Sequence, residues 1–270
     1  MSVGTKSGFG AVTIVTAIVG GAALVGSAGW GGLLGAMDLA NTPDQAGSRT
    51  LSAQGVTSID VDASAAGVNI TFDDVTEIEL HSNKELRGWT LRNDGGEVEL
   101  RRNGSWLWWL DWFSPEGWGA GERVTLTLPR SLAGIDAELS VNAGSIDADA
   151  DFGELDADVN AGDLTVRGSA DVADIDVNTG SADAELDGVR ELELSVSAGR
   201  LEADMASAPD QTSVDVSAGD LRLSLPDEEY QLAQNVSAGS LDSSLRETSS
   251  SPYRIDAEVS AGSATLRSHR

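Results

Sequence analysis

Val141-Asn142-Ala143-Gly144, Val159-Asn160-Ala161-Gly162 and Val177-Asn178-Thr179-Gly180 open a series that continues as Val196-Ser197-Ala198-Gly199, Val216-Ser217-Ala218-Gly219, Val236-Ser237-Ala238-Gly239 and Val259-Ser260-Ala261-Gly262. Successive glycines fall 18, 18, 19, 20, 20 and 23 residues apart. A unit of that length cannot bury its own apolar face, so copies stack and share a core. The residue two places after each glycine is apolar throughout: Ile146, Leu164, Ala182, Leu201, Leu221, Leu241 and Ala264. Simple alternation would put that residue and the preceding valine on opposite faces, so a corner must lie between them. Gly144, Gly162, Gly180, Gly199, Gly219, Gly239 and Gly262 are therefore structural turn residues, with positive φ expected at the corner. The Asn or Ser two residues earlier suits the same turn. Stacked at roughly 4.8 Å, these side chains would form a ladder from one level to the next.

Working outward from the corner, the flanks alternate with period two, as half-buried strands do. Ile135, Ala137, Leu139 and Val141 face inward while Asp136, Glu138 and Ser140 face out; Leu155, Ala157 and Val159 repeat the pattern. Two strands fit each period. The far edge absorbs the length variation, tight at Asp151-Phe152-Gly153-Glu154 and longer at Ser207-Ala208-Pro209-Asp210. The reading is an all-β fold, a parallel β-helix (β-solenoid) with about seven regular rungs over residues 135–270. An antiparallel β-sandwich is the alternative.

Outside the repeats, residues 9–37 carry no charge, long enough for a membrane-spanning helix or signal anchor. Lys6 precedes the run and Asp38 follows it, which places residues 1–8 in the cytoplasm and the rest outside a single-pass cell membrane protein. A cleaved signal peptide, with Gly26-Ser27-Ala28 as its small-residue site, is the rival reading. Residues 38–55 read as a flexible stalk, and residues 56–270 as the solenoid domain, irregular over 56–134. In that irregular part, Ser58 to Asp73 alternates into a degenerate first corner at Ala65-Ala66-Gly67. Trp106, Trp108, Trp109, Trp112 and Trp118 then crowd one short segment. They are expected to cap an open end of the solenoid, to contact a membrane or to bind a partner.

Charge excludes one class of partner. All 44 acids lie after Met37 with 16 of the 17 bases, a net of −28 there, so nucleic acid is not expected. Cysteine is absent, which removes disulfide and thiolate–metal chemistry.

The hydrophobic amino-terminal segment, the irregular strands, the Val124-Thr125-Leu126-Thr127-Leu128-Pro129 step and the recurring Ser/Asn-Ala-Gly-x-Leu units resemble the bacterial putative-adhesin β-strand-repeat family. The resemblance covers about residues 56–270. It implies a right-handed parallel β-helix and supplies no catalytic residues.

Residue chemistry agrees with a non-enzyme. His81 and His269 are the two histidines, and neither has a carboxylate spaced for a zinc site. Asp-rich strands with Arg167 and Arg222 could form a polysaccharide-cleaving groove, but the long loops that build such a site are missing. Residues 135–187 hold fifteen acids and one base, Arg167, so like charges stack one strand apart. No cofactor is expected beyond loosely bound calcium on that face. Two functions fit: an adhesin-like module that binds a surface or envelope protein or glycan, or a structural or regulatory envelope ectodomain that meets a membrane partner.

Overall fold

A computed structural model of the chain describes residues 47–86, 88–102 and 122–269, all within the compact unit Asn41–Arg270. The expected span at residues 9–37 lies outside them, as do all five clustered tryptophans. The amino-terminal strands are β1 (Ser48–Ser52), β2 (Ser58–Asp73), β3 (Glu77–Ser82), β4 (Trp89–Asp94), β5 (Glu97–Arg102) and β6 (Arg123–Pro129). A short 3-10 turn at Arg130–Leu132 follows Pro129, which ends the strand pattern. The repeats then give β7 (Ile135–Val159), β8 (Gly162–Ser169), β9 (Val172–Val177), β10 (Gly180–Asp187), β11 (Glu191–Val196) and β12 (Arg200–Met205). They end with β13 (Gln211–Val216), β14 (Asp220–Pro226), β15 (Glu229–Val236), β16 (Ser240–Ser243), β17 (Arg246–Glu247), β18 (Arg254–Val259) and β19 (Ser263–His269).

Each level lays one strand on either side of a thin core, with the Asn/Ser-Ala-Gly corner between them. The first wall stacks β5, β2, β7, β9, β11, β13, β18 and β15; β7 is long enough to serve two levels. The second wall stacks β6, β2, β7, β8, β10, β12, β14, β19 and β16. Among the described residues, every pairing between strands from β7 onward is parallel, which rules out the sandwich. Alternation does the sorting: Ile146, Leu164, Ala182 and Leu201 are buried in one row, Leu139, Ala157, Ile175 and Leu194 in another. The core is almost wholly Ala, Val, Leu and Ile, as a space about 10 Å across requires.

The order of levels departs from the order of sequence at both ends. The two-walled stack starts with β2, steps outward to β5 and β6, and returns to the other side of β2 with β7. Near its end it goes from β13 and β14 out to β15 and β16, then back to insert β18 and β19 beneath them. Side-chain polarity explains the second swap. Gln234 and Ser243 stand in register with Ala257 and Leu266, which point into the core. Burying an unpaired amide costs about 1–3 kcal/mol, so the level that carries Gln234 goes outermost. The 23-residue glycine spacing supplies the chain needed for the return. Along that return Tyr230 is buried, donates its hydroxyl to the Pro226 carbonyl at 2.9 Å, and packs against Tyr253 with ring centroids 5.9 Å apart.

Two expectations are corrected. Ser48–Ser52 is strand β1, antiparallel to β3, rather than flexible stalk; the open edge of β3 offers it backbone partners, and Leu51 packs on the core. Positive φ is also not the general reason for the corner glycines. Only Gly162 (φ 145°) and Gly180 (φ 137°) show it among the seven. What all seven share is close approach: a Cβ at any of them would fall under 3.0 Å from backbone of the neighbouring level, Ala66 beneath Gly144 and glycine beneath glycine thereafter.

Space and backbone conformation can be separated experimentally. Gly219→Ala meets Gly199 backbone and a Val196 methyl, and should cost about 2–3 kcal/mol. Gly95→Ala has φ 67° but nothing within 4 Å, and should cost only about 1 kcal/mol. Chemical denaturation of both variants checks the order; equal losses would mean conformation rather than stacking selects glycine. Thr212 is buried with no partner for its hydroxyl among the described residues, so Thr212→Val should stabilise by about 1 kcal/mol in the same assay.

Candidate functional site

The first wall turns its outward side chains into columns, and their register decides what they can do. Asp60 pairs with Glu138 and with Glu99; further along, Asp156 pairs with Asp174, and Asp174 with Glu193. One column of carboxylates results, and Asp158 beside Asp176 forms a second row next to it. At the β5 end arginines neutralise the column: Arg101 bonds Asp60, and Arg92 Nη2 lies 2.7 Å from Glu99 Oε2. No arginine occupies the column from Glu138 to Glu193.

The chemistry of that stretch shows in its protons. Partial burial, then the negative charges of neighbouring levels, pushes Glu138, Asp156 and Asp158 above the ordinary carboxylate range. Asp174, half-buried and next to Glu193, Asp176, Asp156 and Asp158, is pushed up to about 7. The side chains run in parallel rows instead of converging. Accordingly, no three His, Asp or Glu among the described residues meet in a geometry that could hold a metal ion.

The second wall is balanced differently. Arg167 sits in register between Asp149 and Glu185, with Nε 3.6 Å from Glu185 Oε2. Arg222 lies between Glu202 and Thr265 because the last two levels are exchanged, so Asp242 is not its neighbour. Ser181 donates to Asp163 at 2.5 Å, Ser169 to Asp151 at 2.7 Å, and Ser263 to Asp220. A shallow depression of about 480 Å³ on this wall is lined by Asp183, Glu185, Glu202 and Asp204. His269 touches Asp204 and the Met205 carbonyl, at 3.3 and 3.1 Å.

Along the corner, the expected ladder is present for asparagine. Asn178 donates to Asn160 at 3.0 Å, Asn160 to Asn142 at 3.2 Å, and Asn142 to Asp62 at 3.1 Å. At the serine corners the backbone takes over, with Ala218 N donating to the Ser197 carbonyl and Ala261 N to the Ser217 carbonyl, both at 2.8 Å. The seven glycines form one line beside these residues, in the order Gly144, Gly162, Gly180, Gly199, Gly219, Gly262, Gly239.

At the β5/β6 end the corner is replaced. Residues 103–121, which hold the five tryptophans, connect β5 to β6 where other levels have their glycine turn. Arg102 and Glu122 close the base of that insertion at 2.9 Å, Arg102 also bonds the Ser64 carbonyl at 3.1 Å, and Trp89 donates its indole N–H to Glu122 at 2.8 Å. Trp89 is buried with Ile78 and Leu80, on antiparallel strands β4 and β3 that cover this end. In the sequence residues 88–92 read as a strand candidate, but nothing in so short an alternating pattern marks Trp89 as the residue that ties this end to Glu122.

Residues 136–268 match the Toastrack DUF4097 family. The match starts inside β7 and stops within β19, so the Toastrack pattern takes in every glycine corner. Among curated proteins, none matches. Three solved structures align at low similarity. A putative cell adhesion protein from Clostridium sporogenes shares 12% identity over 82% of this chain and 98% of its own, with a TM-score of 0.36. A putative adhesin from Bacteroides fragilis gives 10%, 82%, 96% and 0.40, and one from Parabacteroides distasonis 13%, 82%, 96% and 0.31. The words adhesin and adhesion belong to those proteins.

The acidic first wall has a pH signature. Glu138, Asp156, Asp158 and Asp174 hold protons more tightly folded than unfolded, so stability falls as pH rises from the ordinary carboxylate range through about 7. Melting temperature should be higher at pH 5 than at pH 8. Added salt should raise it at pH 8 by screening the columns. Asp174→Asn should stabilise at pH 8 by about 1 kcal/mol, after allowing for solvent screening, and flatten the pH dependence. A melting temperature that climbs from pH 5 to 8 would remove this account.

Proposed function

We propose that the chain is a membrane-anchored, extracytoplasmic β-solenoid, coiled right-handed, that serves as a non-enzymatic surface-binding module. One observation carries the reading: the amino-terminal segment and the tryptophan segment leave the fold at the same corner of the same end. The Gly47 carbonyl accepts from Ser82 N at 2.8 Å. Asn83 N donates to the Arg123 carbonyl at 3.2 Å, and Arg123 N to Asn83 Oδ1 at 3.0 Å. Residues 1–46 therefore join the fold beside Arg123, and residues 103–121 join it one residue before. A span at 9–37 leaves residues 38–46 as a tether of at most roughly 30 Å. Trp106, Trp108, Trp109, Trp112 and Trp118 then lie within reach of the same bilayer, whose headgroup region favours tryptophan. Among the described residues β1, β3 and β4 already cover this end, which favours lipid or a membrane partner over a cap as the role of the tryptophans. A tether that short, joined at Gly47, favours an orientation in which the opposite end of the stack faces away from the membrane.

That corner also favours the second reading, an envelope ectodomain that meets a membrane partner through the tryptophans. Loose calcium on the acidic wall is a lesser part of the proposal and should show as a melting shift at millimolar calcium.

Topology is tested first. With no native cysteine, Ser207→Cys should be labelled by a membrane-impermeant maleimide from outside intact cells. Recovery of a soluble form starting near Gly29 would show a cleaved signal peptide instead. Replacing Trp108, Trp109 and Trp112 by Ser should leave the melting temperature unchanged and weaken binding of lipid vesicles or of a co-purifying membrane partner. A loss of several kcal/mol in stability would return these rings to a capping role.

A further inference from the structure

The two ends of the stack are not alike. Under the cover of β3 and β4, Val98, Leu100, Val124, Leu126 and Leu128 are completely buried. At the opposite end, β15 and β16 form the last level, and among the described residues only β17 pairs beyond them, at Glu229 and Tyr230. Among the described residues, nothing pairs with the outer backbone edge of residues 231–236 and 240–243. The core-facing positions there, Leu232 and Leu241, are half-buried, and Val236 is 41% exposed, the one exposed large hydrophobic residue among those described.

Edges of this kind normally carry charges or proline that prevent pairing. The covered end follows the rule, with Arg49 on β1 and Arg92 and Asp94 on β4. The open level does not: Gln231-Leu232-Ala233-Gln234-Asn235-Val236-Ser237-Ala238-Gly239-Ser240-Leu241-Asp242-Ser243-Ser244 contains a single charged residue, in a chain of net charge −27. We infer that this open level is a homotypic docking edge, at which a second copy of the chain adds its own residues 231–243 strand to strand.

A second copy fits better than another occupant for three reasons. Two copies approaching through either wall would oppose carboxylate columns, whereas here they oppose Gln231, Gln234, Asn235 and Ser240. Amides both donate and accept, so identical residues satisfy each other, as Asn142, Asn160 and Asn178 already do. A two-fold axis pairs both strands of the level antiparallel with their counterparts and then closes, giving a dimer and not a fibre. The tryptophan segment cannot cover the edge in cis. From β5/β6 to β15/β16 is eight level steps, roughly 38 Å, while 19 residues held together at Arg102 and Glu122 reach at most about 32 Å. One level edge is smaller than a standard stable interface, so the pair is weak alone and gains strength from many copies on a surface. The pairing is independent of anchoring. Its consequence, bridging two membranes tip to tip, rests on the orientation proposed above.

The test uses the full chain in detergent. Sedimentation velocity from about 1 to 200 µM should show a monomer–dimer equilibrium. Val236→Lys with Ser240→Lys, both at exposed positions of the edge, should raise the apparent Kd at least tenfold with the melting temperature unchanged. Single cysteines at Gln231, Ala233 and Asn235 should include at least one that forms a covalent dimer on oxidation, while Thr179→Cys, at a middle corner, stays monomeric. A monomer at every concentration overturns the inference. So does a dimer that the lysine pair leaves intact and none of the edge cysteines traps. Two vesicle populations carrying the outward-facing chain should cluster. If they do not while the dimer persists in detergent, the orientation fails and the docking edge stands.

Discussion

Glycine backbone resting on glycine backbone is the contact that sets the spacing of this molecule. From Gly144 to Gly239 each corner brings successive levels closer than any Cβ would allow. That closeness lets the corner amides bond from level to level and holds the two walls at a constant separation. The first corner shows the limit of tolerance. Ala66 occupies the glycine position at the level where stacking begins, with Ala65 beside it at φ 57° and a register shift in β2.

Stacking at one spacing multiplies whatever the outward residues carry. On the second wall, arginine and serine between carboxylates turn repetition into mutual support. On the first wall, from Glu138 to Glu193, repetition becomes repulsion, which adds to partial burial in raising the proton affinity of Asp174. A shared hydrophobic core sustains this cost because each level buries its apolar row on both sides.

The ends complete the argument, since a stack of parallel strands must stop somewhere. At one end the chain turns three antiparallel strands over the core and fixes Trp89 against Glu122. At the other it places its most polar-cored level outermost and leaves a nearly uncharged edge. The asymmetry gives the stack a polarity, with β1 and Gly47 at the covered end and the open edge at the other.

The repeat itself was enough to determine much of this. The seven valine-x-x-glycine units specify two strands per level, a corner between them, an aliphatic interior and an asparagine ladder, because those features depend only on residues near one another in sequence. The interleaving of Arg167 with Asp149 and Glu185 followed from the same periodicity. Tertiary structure alone decided the rest. The exchange of the last two levels depends on comparing Gln234 with Ala257 for one place in the core, a competition no local pattern expresses. The role of glycine was misread for a related reason: a sequence position suggests a turn, whereas the clash that selects glycine comes from a level 18 or more residues away. Ser48–Ser52 and Trp89 gained their places from partners contributed by β3 and Glu122, and short strands without a repeat carry little signal of such distant contacts.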